Sequence, residues 1–152
     1  MHFSSKAAYG LKAVLYLAHQ YGQRAVSASQ ISKAERIPAA YLEQILFLLK
    51  RRKWVKSLRG PSGGYMLSRK PDEIKVSDIL RDLEGGRFEI VKETAGEEPP
   101  LHPATITARV FWNDFTRHVS QFVESRSLKD LIDHAGLVKR DKIQKARLSF
   151  SI

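Results

Sequence analysis

The 152-residue chain contains no cysteine. This absence excludes disulfides, thiolate zinc sites, cysteine nucleophiles and cysteine-ligated iron–sulfur clusters. Long apolar runs are missing as well: residues 13–18 form the only early run, which is too short to cross a bilayer and lacks the length and cleavage site of a secretory signal. We therefore expect a cytoplasmic protein. With 43% hydrophobic residues, the chain can bury a core suited to one domain, or to a small domain with an appended element.

Acidic residues are scarce in the first half of the chain. Residues 1–70 contain 13 Lys and Arg but 2 Asp and Glu, a balance of +11, whereas residues 71–152 contain 13 and 14, a balance of −1. Mixed charges would make the surface equally soluble, so a field of one sign favours a polyanionic partner. Charge alone predicts nucleic acid or an anionic membrane, and the helix spacing favours nucleic acid.

Three helices are predicted in the first 51 residues. Ser4 or Ser5 can cap a first helix that runs to about Tyr21, and Gly22 ends it. Its expected buried stripe is Ala8, Leu11, Leu15 and Ala18. Ser27 and Gln30 form a capping-box pattern at the start of a second helix, which runs to about Glu35 and carries Ile31 inward. Pro38 suits the first turn of a third helix.

The third helix has one apolar side and one side suited to reading DNA. Its inward positions follow i, i+3, i+4, i+7 spacing and are Leu42, Ile45, Leu46 and Leu49. The residues left on the outward face are Ala40, Glu43, Gln44, Phe47 and Arg51. A major groove accepts a helix, in which Glu43 can accept from cytosine, Gln44 can pair with adenine, and Ala40 permits close approach. Tyr41 flanks this face within reach of a phosphate.

A basic hairpin is predicted after the third helix. Residues 54–58 and 65–68 have strand composition, and the Gly/Pro-rich stretch between them forms the turn of a wing. Lys50-Arg51-Arg52-Lys53 and Lys56 are expected to neutralise phosphates, since the run lies between the reading helix and the wing; a solvated charged face is the alternative. Arg59 at the wing tip can enter a narrow minor groove, unless it is a turn residue exposed to water.

The remaining residues predict three further helices. Val76, Ile79, Leu80 and Leu83 mark a short helix ended by Gly85-Gly86, and residues 87–104 are expected to be a loop. A long helix from about Ala104 to Glu124 carries an apolar stripe, and Ser127 with Asp130 can cap a short final helix to about His134. The tail after Gly136 is expected to be loosely ordered. The stripe is predicted to pack against a second copy of the chain, through Ile106, Phe111, Phe115, Val119 and Phe122.

The fold class expected is therefore mainly α: a winged helix-turn-helix DNA-binding domain with a two-stranded wing, followed by a long C-terminal dimerisation helix. The expected divisions are 1–84 for the winged domain, 85–104 for the loop, 105–135 for the dimerisation and final helices, and 136–152 for the tail. Ser5 and Lys6 can add phosphate contacts, although an N-cap role suits Ser5 equally well. The predicted DNA-binding residues are Ser5, Lys6, Ala40, Tyr41, Glu43, Gln44, Phe47, Lys50, Arg51, Arg52, Lys56, Arg59, Gly60, Ser62 and Gly63.

Three stretches resemble the IscR/NsrR-type family of bacterial transcription regulators. They are residues 1–9 (MHFSSKAAY), 41–46 (YLEQIL) and 55–65 (VKSLRGPSGGY). The resemblance covers roughly residues 1–135. It implies a cytoplasmic homodimer that reads a pseudo-palindromic operator and usually represses, and it implies base-proximal roles for Tyr41, Glu43, Gln44 and Arg59.

The chain departs from the sensor members of that family, which hold an iron–sulfur cluster through three cysteines in the loop before the long helix. The corresponding loop here, about residues 86–104, offers oxygen and imidazole ligands instead: Glu89, Glu93, Glu97, Glu98 and His102. Acidic loops are usually solvated, so we predict neither a metal nor another cofactor. The resemblance is nearer to the cluster-free branch, whose members respond to a partner protein or to an effector that the sequence does not reveal.

Catalysis is not expected. Residues 60–64 (GPSGG) satisfy the bare Gly-x-Ser-x-Gly pattern, but a strand-turn-strand lacks the strained strand-to-helix turn that activates a serine. Two other functions remain as alternatives to sequence-specific regulation: a protein-interaction module that docks an acidic partner enzyme, and an architectural DNA binder without sequence preference. The salt dependence of DNA binding and competition by unrelated DNA distinguish these alternatives from sequence-specific binding.

Overall fold

The computed structural model describes residues 4–86 and 102–149, and it describes side chains as far as residue 140. The fold is mainly α, as the sequence predicts. Its helices are α1 (Ser5–His19), α2 (Ala28–Glu35), α3 (Ala39–Arg51), α4 (Val76–Leu83), α5 (Pro103–Ser125) and α6 (Leu128–Ser149), with a short 3-10 helix at Pro71–Glu73. The strands are β1 (Val55–Leu58) and β2 (Gly64–Leu67).

Helix α1 is capped by Ser4, whose Oγ accepts from the Ala7 backbone N–H at 3.1 Å. It ends at His19, two residues before the predicted end. The predicted buried stripe is partly confirmed: Ala18 is buried and Leu11 and Leu15 pack half-buried against the core, but Ala8 is exposed. The buried positions are Ala7, Gly10, Ala13, Val14, Leu17 and Ala18.

Small residues explain this displacement of the buried face. A Cβ added at Gly10 would lie 2.6 Å from the terminal carbons of Leu83, so a larger residue there would require the buried Leu83 side chain to move. An apolar side chain is recognised from spacing, whereas glycine and alanine at a close helix contact give little periodic signal.

The helix-turn-helix forms as its caps predict. The Ser27 N–H donates to Gln30 Oε1 at 2.9 Å, and the Gln30 N–H donates to Ser27 Oγ at 3.2 Å, which completes the capping box of α2. Pro38 precedes α3 as its N-cap, one position before the predicted first turn, and its carbonyl accepts from the Leu42 N–H at 2.9 Å. The predicted core side of α3 is confirmed, because Leu42, Ile45, Leu46 and Leu49 are all buried.

Strands β1 and β2 pair antiparallel with Val55 opposite Leu67 and Leu58 opposite Gly64. They begin and end within one residue of the predicted limits. A further bridge joins Tyr65 to Val26, with N···O distances of 2.9 and 2.7 Å, and attaches the wing to the loop before α2.

The junction between α5 and α6 packs into the winged-helix core. The Val76 N–H donates to the Arg126 carbonyl at 2.9 Å, and the Leu128 N–H donates to the Ile74 carbonyl at 3.0 Å. Leu128 is fully buried. The predicted cap of α6 is confirmed, since Ser127 and Asp130 exchange hydrogen bonds of 2.8 and 3.1 Å.

The predicted end of the last helix at about His134 is wrong, because α6 continues through Gly136 to Ser149. Gly136 does not have a positive φ, so it does not adopt the left-handed conformation that ends a helix. A helical glycine costs about 1 kcal/mol relative to alanine, and the strong helix formers Lys, Arg, Leu, Gln and Ala in residues 137–149 offset that cost.

The end of α4 is confirmed, since Glu84 caps the helix and Gly85 follows with φ 77°. Of the predicted loop, residues 87–101 lie outside the described residues, and α5 starts at Pro103. The division of the chain into four parts stays a prediction. Within the described ranges, no helix has both the length and the apolar character to cross a membrane.

Candidate nucleic-acid interface

Helix α3 exposes the face that the sequence assigns to DNA reading. Ala40, Glu43, Gln44, Phe47 and Arg51 are all exposed, opposite the buried stripe of the same helix. Phe47 is 63% exposed, which is unusual for an aromatic residue on a small, well-packed domain. The Arg51 guanidinium lies 5.8 Å from the centre of that ring, so the cation and the ring form one surface.

Tyr41 connects this face to α1. Its ring meets the ring of Tyr9 edge to face, with the centroids 5.8 Å apart, and both residues are partly buried against the core. Tyr9 therefore packs against the core of the winged domain. The contact fixes the N-terminal half of α1 beside the N-terminal end of α3.

At the start of α1, the structure separates the two serines. Ser4 makes the cap, and its N–H donates to Glu84 Oε1 at 2.9 Å. Ser5 and Lys6 are exposed in the first turn. Ser5 is thus not the N-cap, which leaves its hydroxyl available for a phosphate contact.

The basic residues at the end of α3 and after it differ in their ion pairing. Arg52 Nε lies 3.4 Å from Asp82 Oδ1, whereas Lys50, Lys53 and Lys56 are exposed and form no ion pair among the described residues. Asp82 reduces the charge that Arg52 can offer to a phosphate. Lys50 and Lys56 therefore fit phosphate contact better than Arg52 does.

The wing tip is an exposed, tightly turned loop. Arg59, Gly60 and Ser62 are exposed, and the Gly63 N–H donates to the Gly60 carbonyl at 2.9 Å. A Cβ at Gly63 would lie 2.5 Å from the Leu58 carbonyl oxygen, so the turn accepts only glycine there. Gly60 and Gly63 thus shape the turn, and Arg59 is the cationic side chain at its tip.

The family follows from comparison with known proteins. A profile of the Rrf2 family, described as an iron-dependent transcriptional regulator, matches residues 3–134. The chain belongs to the Rrf2 family. It is a transcriptional regulator and not an enzyme.

Individual Rrf2 relatives agree over nearly the whole chain. The HTH-type transcriptional regulator CymR of Bacillus subtilis is 34% identical over 134 residues, covering 88% of this chain and 91% of CymR. The regulator IscR of Sodalis glossinidius is 31% identical, covering 91% of this chain and 82% of IscR. The solved structure of B. subtilis CymR, the global cysteine regulator of that organism, superimposes with a TM-score of 0.77 at 33% identity, covering 88% of this chain and 98% of that structure. The winged-helix fold is thereby established.

The iron-dependent character of the Rrf2 family is not matched by thiolate ligands in this chain. The 152 residues contain no cysteine to supply thiolates. The part of the chain that the structure describes contains no group of three or more His, Asp or Glu side chains placed to hold a metal ion. His102 is the N-cap of α5, where its Nδ1 accepts from the Ala104 N–H at 3.3 Å. The loop carboxylates Glu89, Glu93, Glu97 and Glu98 lie outside the described residues.

Helix α5 exposes much of the apolar stripe predicted for dimerisation. Phe111 and Phe122 are 57% and 59% exposed, and Phe115 is half-buried and stacks on Phe111 with centroids 6.3 Å apart. Val119 packs partly against the core of its own chain. Ile106 is exposed, but it lies five residues before Phe111. At about 100° per residue this places Ile106 about 140° around the helix axis from Phe111, so it lies off the stripe. The dimerisation roles stay predictions.

Sequence reasoning missed one structural contact of this Rrf2 protein beside the interface. Trp54 Nε1 donates to Asp82 Oδ2 at 2.7 Å, and the Arg69 guanidinium lies 5.4 Å from the Trp54 ring. The hydrogen bond to Asp82 fixes the base of the wing to α4. The sequence signal was weak, because a lone Asp on an amphipathic helix usually faces solvent.

Proposed function

We propose that this Rrf2 protein is a cytoplasmic homodimer that binds a pseudo-palindromic operator sequence-specifically and represses transcription without a cysteine-ligated cluster. In this proposal α3 enters the major groove, and the wing carries Arg59 toward the adjacent minor groove. The basic residues around α3 bind phosphates. The proposed function does not include a cysteine-ligated iron–sulfur cluster, because the chain has no thiolate ligand.

The observation that carries the proposal is the composition of the outward face of α3. Glu43 and Gln44 are both exposed, side by side, and no ion pair of the described residues engages Glu43. Both side chains have hydrogen-bonding groups that match base edges in a major groove. A helix with only a structural role would gain nothing from Phe47 and these groups on an exposed face.

The basic surroundings add the affinity that base contacts alone do not supply. Residues 1–70 carry the balance of +11, and α1, α3 and the wing all belong to this half. Binding should therefore weaken steeply with salt, because each neutralised phosphate releases counterions.

The dimer is supported by the exposed aromatic residues of α5. A single chain in water gains nothing by exposing Phe111, Trp112 and Phe122, each about half exposed or more. Burial against the same helix of a second copy removes these rings from water and relates the two reading helices by a two-fold axis. Two-fold symmetry matches a pseudo-palindromic operator.

The DNA test begins with fragments of the source genome selected by the wild-type protein, followed by fluorescence anisotropy against one selected duplex and one random duplex. Gln44→Ala should lower affinity for the operator by about 1–3 kcal/mol while leaving the random duplex nearly unchanged. Arg59→Ala should cost a similar amount. Lys50→Ala is the matched control, because loss of a phosphate contact weakens both duplexes equally.

If Gln44→Ala and Arg59→Ala weaken both duplexes alike, the protein binds DNA without the proposed readout. If the wild type binds neither duplex at low salt, DNA binding itself is disproved. Repression is tested separately, by placing the selected fragment upstream of a reporter gene with and without the regulator.

The dimer test uses sedimentation equilibrium. Phe111→Glu should shift the protein to a monomer, because a charge at the centre of an apolar interface is costly to bury. Leu137→Glu is the control, since Leu137 is also 57% exposed but lies on α6. A wild-type protein that sediments as a monomer at micromolar concentration contradicts the proposal.

A further inference from the structure

Helices α2 and α3 end in the same unusual way. Each is followed by a basic residue in the left-handed region, Arg36 with φ 54° and Lys53 with φ 62°. In each case the N–H of the next residue donates to a carbonyl five residues earlier. The Ile37 N–H donates to the Ser32 carbonyl at 3.1 Å, and the Trp54 N–H donates to the Leu49 carbonyl at 2.9 Å. This is the Schellman arrangement, in which the left-handed position is usually glycine.

Burial of the following residue fixes this conformation. Ile37 is 2% exposed and Trp54 is 8% exposed, so each chain reversal is held by an apolar anchor in the core. Arg36 and Lys53 cannot leave the left-handed region without withdrawing those anchors. Their Cβ atoms therefore carry a conformational penalty that glycine would avoid.

No ion pair or cation–π contact of the Arg36 or Lys53 side chain within the described chain offsets that penalty. Both side chains are exposed, and neither takes part in an ion pair or a cation–π contact among the described residues. Arg52, by contrast, pairs with Asp82, and Arg51 lies over Phe47. Arg36 and Lys53 are the only two positive-φ residues other than glycine in the described residues, and both are cationic.

We infer that Arg36 and Lys53 contact DNA phosphates, and that the chain keeps them at left-handed positions where glycine would give a more stable fold. The inference rests on the proposed DNA binding. It adds Arg36 to the expected phosphate contacts and gives Lys53, already part of the expected basic run, a structural argument of its own, so that one such residue lies at each end of α3. The 13 residues of α3 span about 20 Å, whereas the major groove is about 12 Å wide. A helix lying across the groove thus brings its two ends to the phosphate ridges on either side.

The experiment separates charge from conformation with paired substitutions in the full chain. Arg36→Gly and Lys53→Gly remove both the charge and the penalty, whereas Arg36→Ala and Lys53→Ala remove the charge alone. We expect the melting temperature to rise by about 2–4 °C in each glycine variant and to stay close to wild type in each alanine variant. With a random-sequence duplex, all four variants should lower the magnitude of the slope of log affinity against log salt by about 1.8, because each substitution removes one phosphate contact from each of the two copies in the proposed dimer.

Two control variants calibrate these measurements. Gly22→Ala places a methyl group at φ 80° in open space, so it should lower the melting temperature and leave the salt slope unchanged. Lys129→Ala removes an exposed charge on α6, where Lys129 Nζ lies 2.5 Å from Asp133 Oδ1. Lys129 lines the same cavity as His19, at the C-terminal end of α1 and away from its first turn. Lys129→Ala should not alter the salt slope.

An unchanged salt slope in both alanine variants, with a steep wild-type slope, would overturn the phosphate contacts while leaving the proposed function intact. Unchanged or lower melting temperatures in both glycine variants would overturn the claim that the side chains destabilise the fold. A wild type that binds no duplex at low salt would instead disprove the proposed function, and with it this inference.

Discussion

Replacing Asp82 should loosen the base of the wing. Asp82 Oδ2 accepts from Trp54 Nε1 at 2.7 Å, and Oδ1 lies 3.4 Å from Arg52 Nε. Trp54 is 8% exposed, so Asp82→Ala leaves its N–H without a partner inside the protein, at a cost of about 1–3 kcal/mol. The ion pair adds about 0–1 kcal/mol, because the Arg52 side chain is half exposed.

The two contributions can be measured apart. Asp82→Asn keeps an acceptor for Trp54 and removes the ion pair, so it should cost about 1 kcal/mol or less. Asp82→Ala should cost about 2–3 kcal/mol, the middle of the combined range of about 1–4 kcal/mol, which lowers the melting temperature by about 4–12 °C in a chain of this size. Circular dichroism at one fixed protein concentration gives both values without a contribution from altered association.

A double-mutant cycle with Trp54→Phe supplies the decisive result. Phenylalanine keeps most of the apolar contact and has no N–H, so Asp82→Ala in that background should cost only the ion pair. An equal cost of Asp82→Ala in the wild-type background and in the Trp54→Phe background would refute the assignment of stability to the hydrogen bond between Trp54 and Asp82.

Three further predictions concern the wing, the reading helix and the cap of α6. Gly64→Ala should destabilise the fold by roughly 1–3 kcal/mol, since φ is 150° and the new Cβ would collide with the loop before α2, whereas Gly60→Ala, in open space, should cost less in a thermal melt. Glu43→Ala should relax the preference for one base position in a selection of randomised duplexes, and an unchanged preference would exclude Glu43 from readout. Hydrogen bonds from the Ser127 backbone and side chain lower the pKa of Asp130 below its ordinary value of 3.8, so the charged form stabilises the fold above that pH. The melting temperature of Asp130→Asn should therefore lie furthest below that of the wild type near neutral pH, and the difference should shrink as the pH falls below about 3.8. A difference that does not change with pH would contradict the electrostatic role of the cap.

Local signals in the sequence were sufficient to predict the helix-turn-helix and the wing. The Ser27–Gln30 capping box and the apolar spacing of α3 each depend on residues within one or two helical turns, and both were confirmed. The exposed face of α3 follows from the same spacing, because the residues that do not face the core must face outward. The DNA roles of that face stay predictions, since burial shows where a side chain lies and not what it binds.

Contacts between distant parts of the chain were not predicted. The hydrogen bonds from Val76 to Arg126 and from Leu128 to Ile74 join segments about 50 residues apart, and no periodic pattern indicates them. Leu128 belongs to the core of the winged helix although the sequence assigns it to a separate C-terminal part. The position of α5 relative to the reading helix thus depends on this junction.

The ends of the helices show why sequence signals for helix termination were only partly reliable. Gly85 ended α4 as expected, whereas Gly136 did not end α6, and the two left-handed C-terminal positions beside α3 are occupied by Arg36 and Lys53. Glycine is favoured at such positions because it lowers a local conformational cost, and a tertiary or functional demand can outweigh that cost. At Arg36 and Lys53 the apolar anchors Ile37 and Trp54 enforce the reversal, which frees the left-handed residue to be chosen for its charge. A basic residue at a left-handed helix end beside a reading helix is therefore better evidence for phosphate binding than the same residue inside a helix, where it costs the fold nothing.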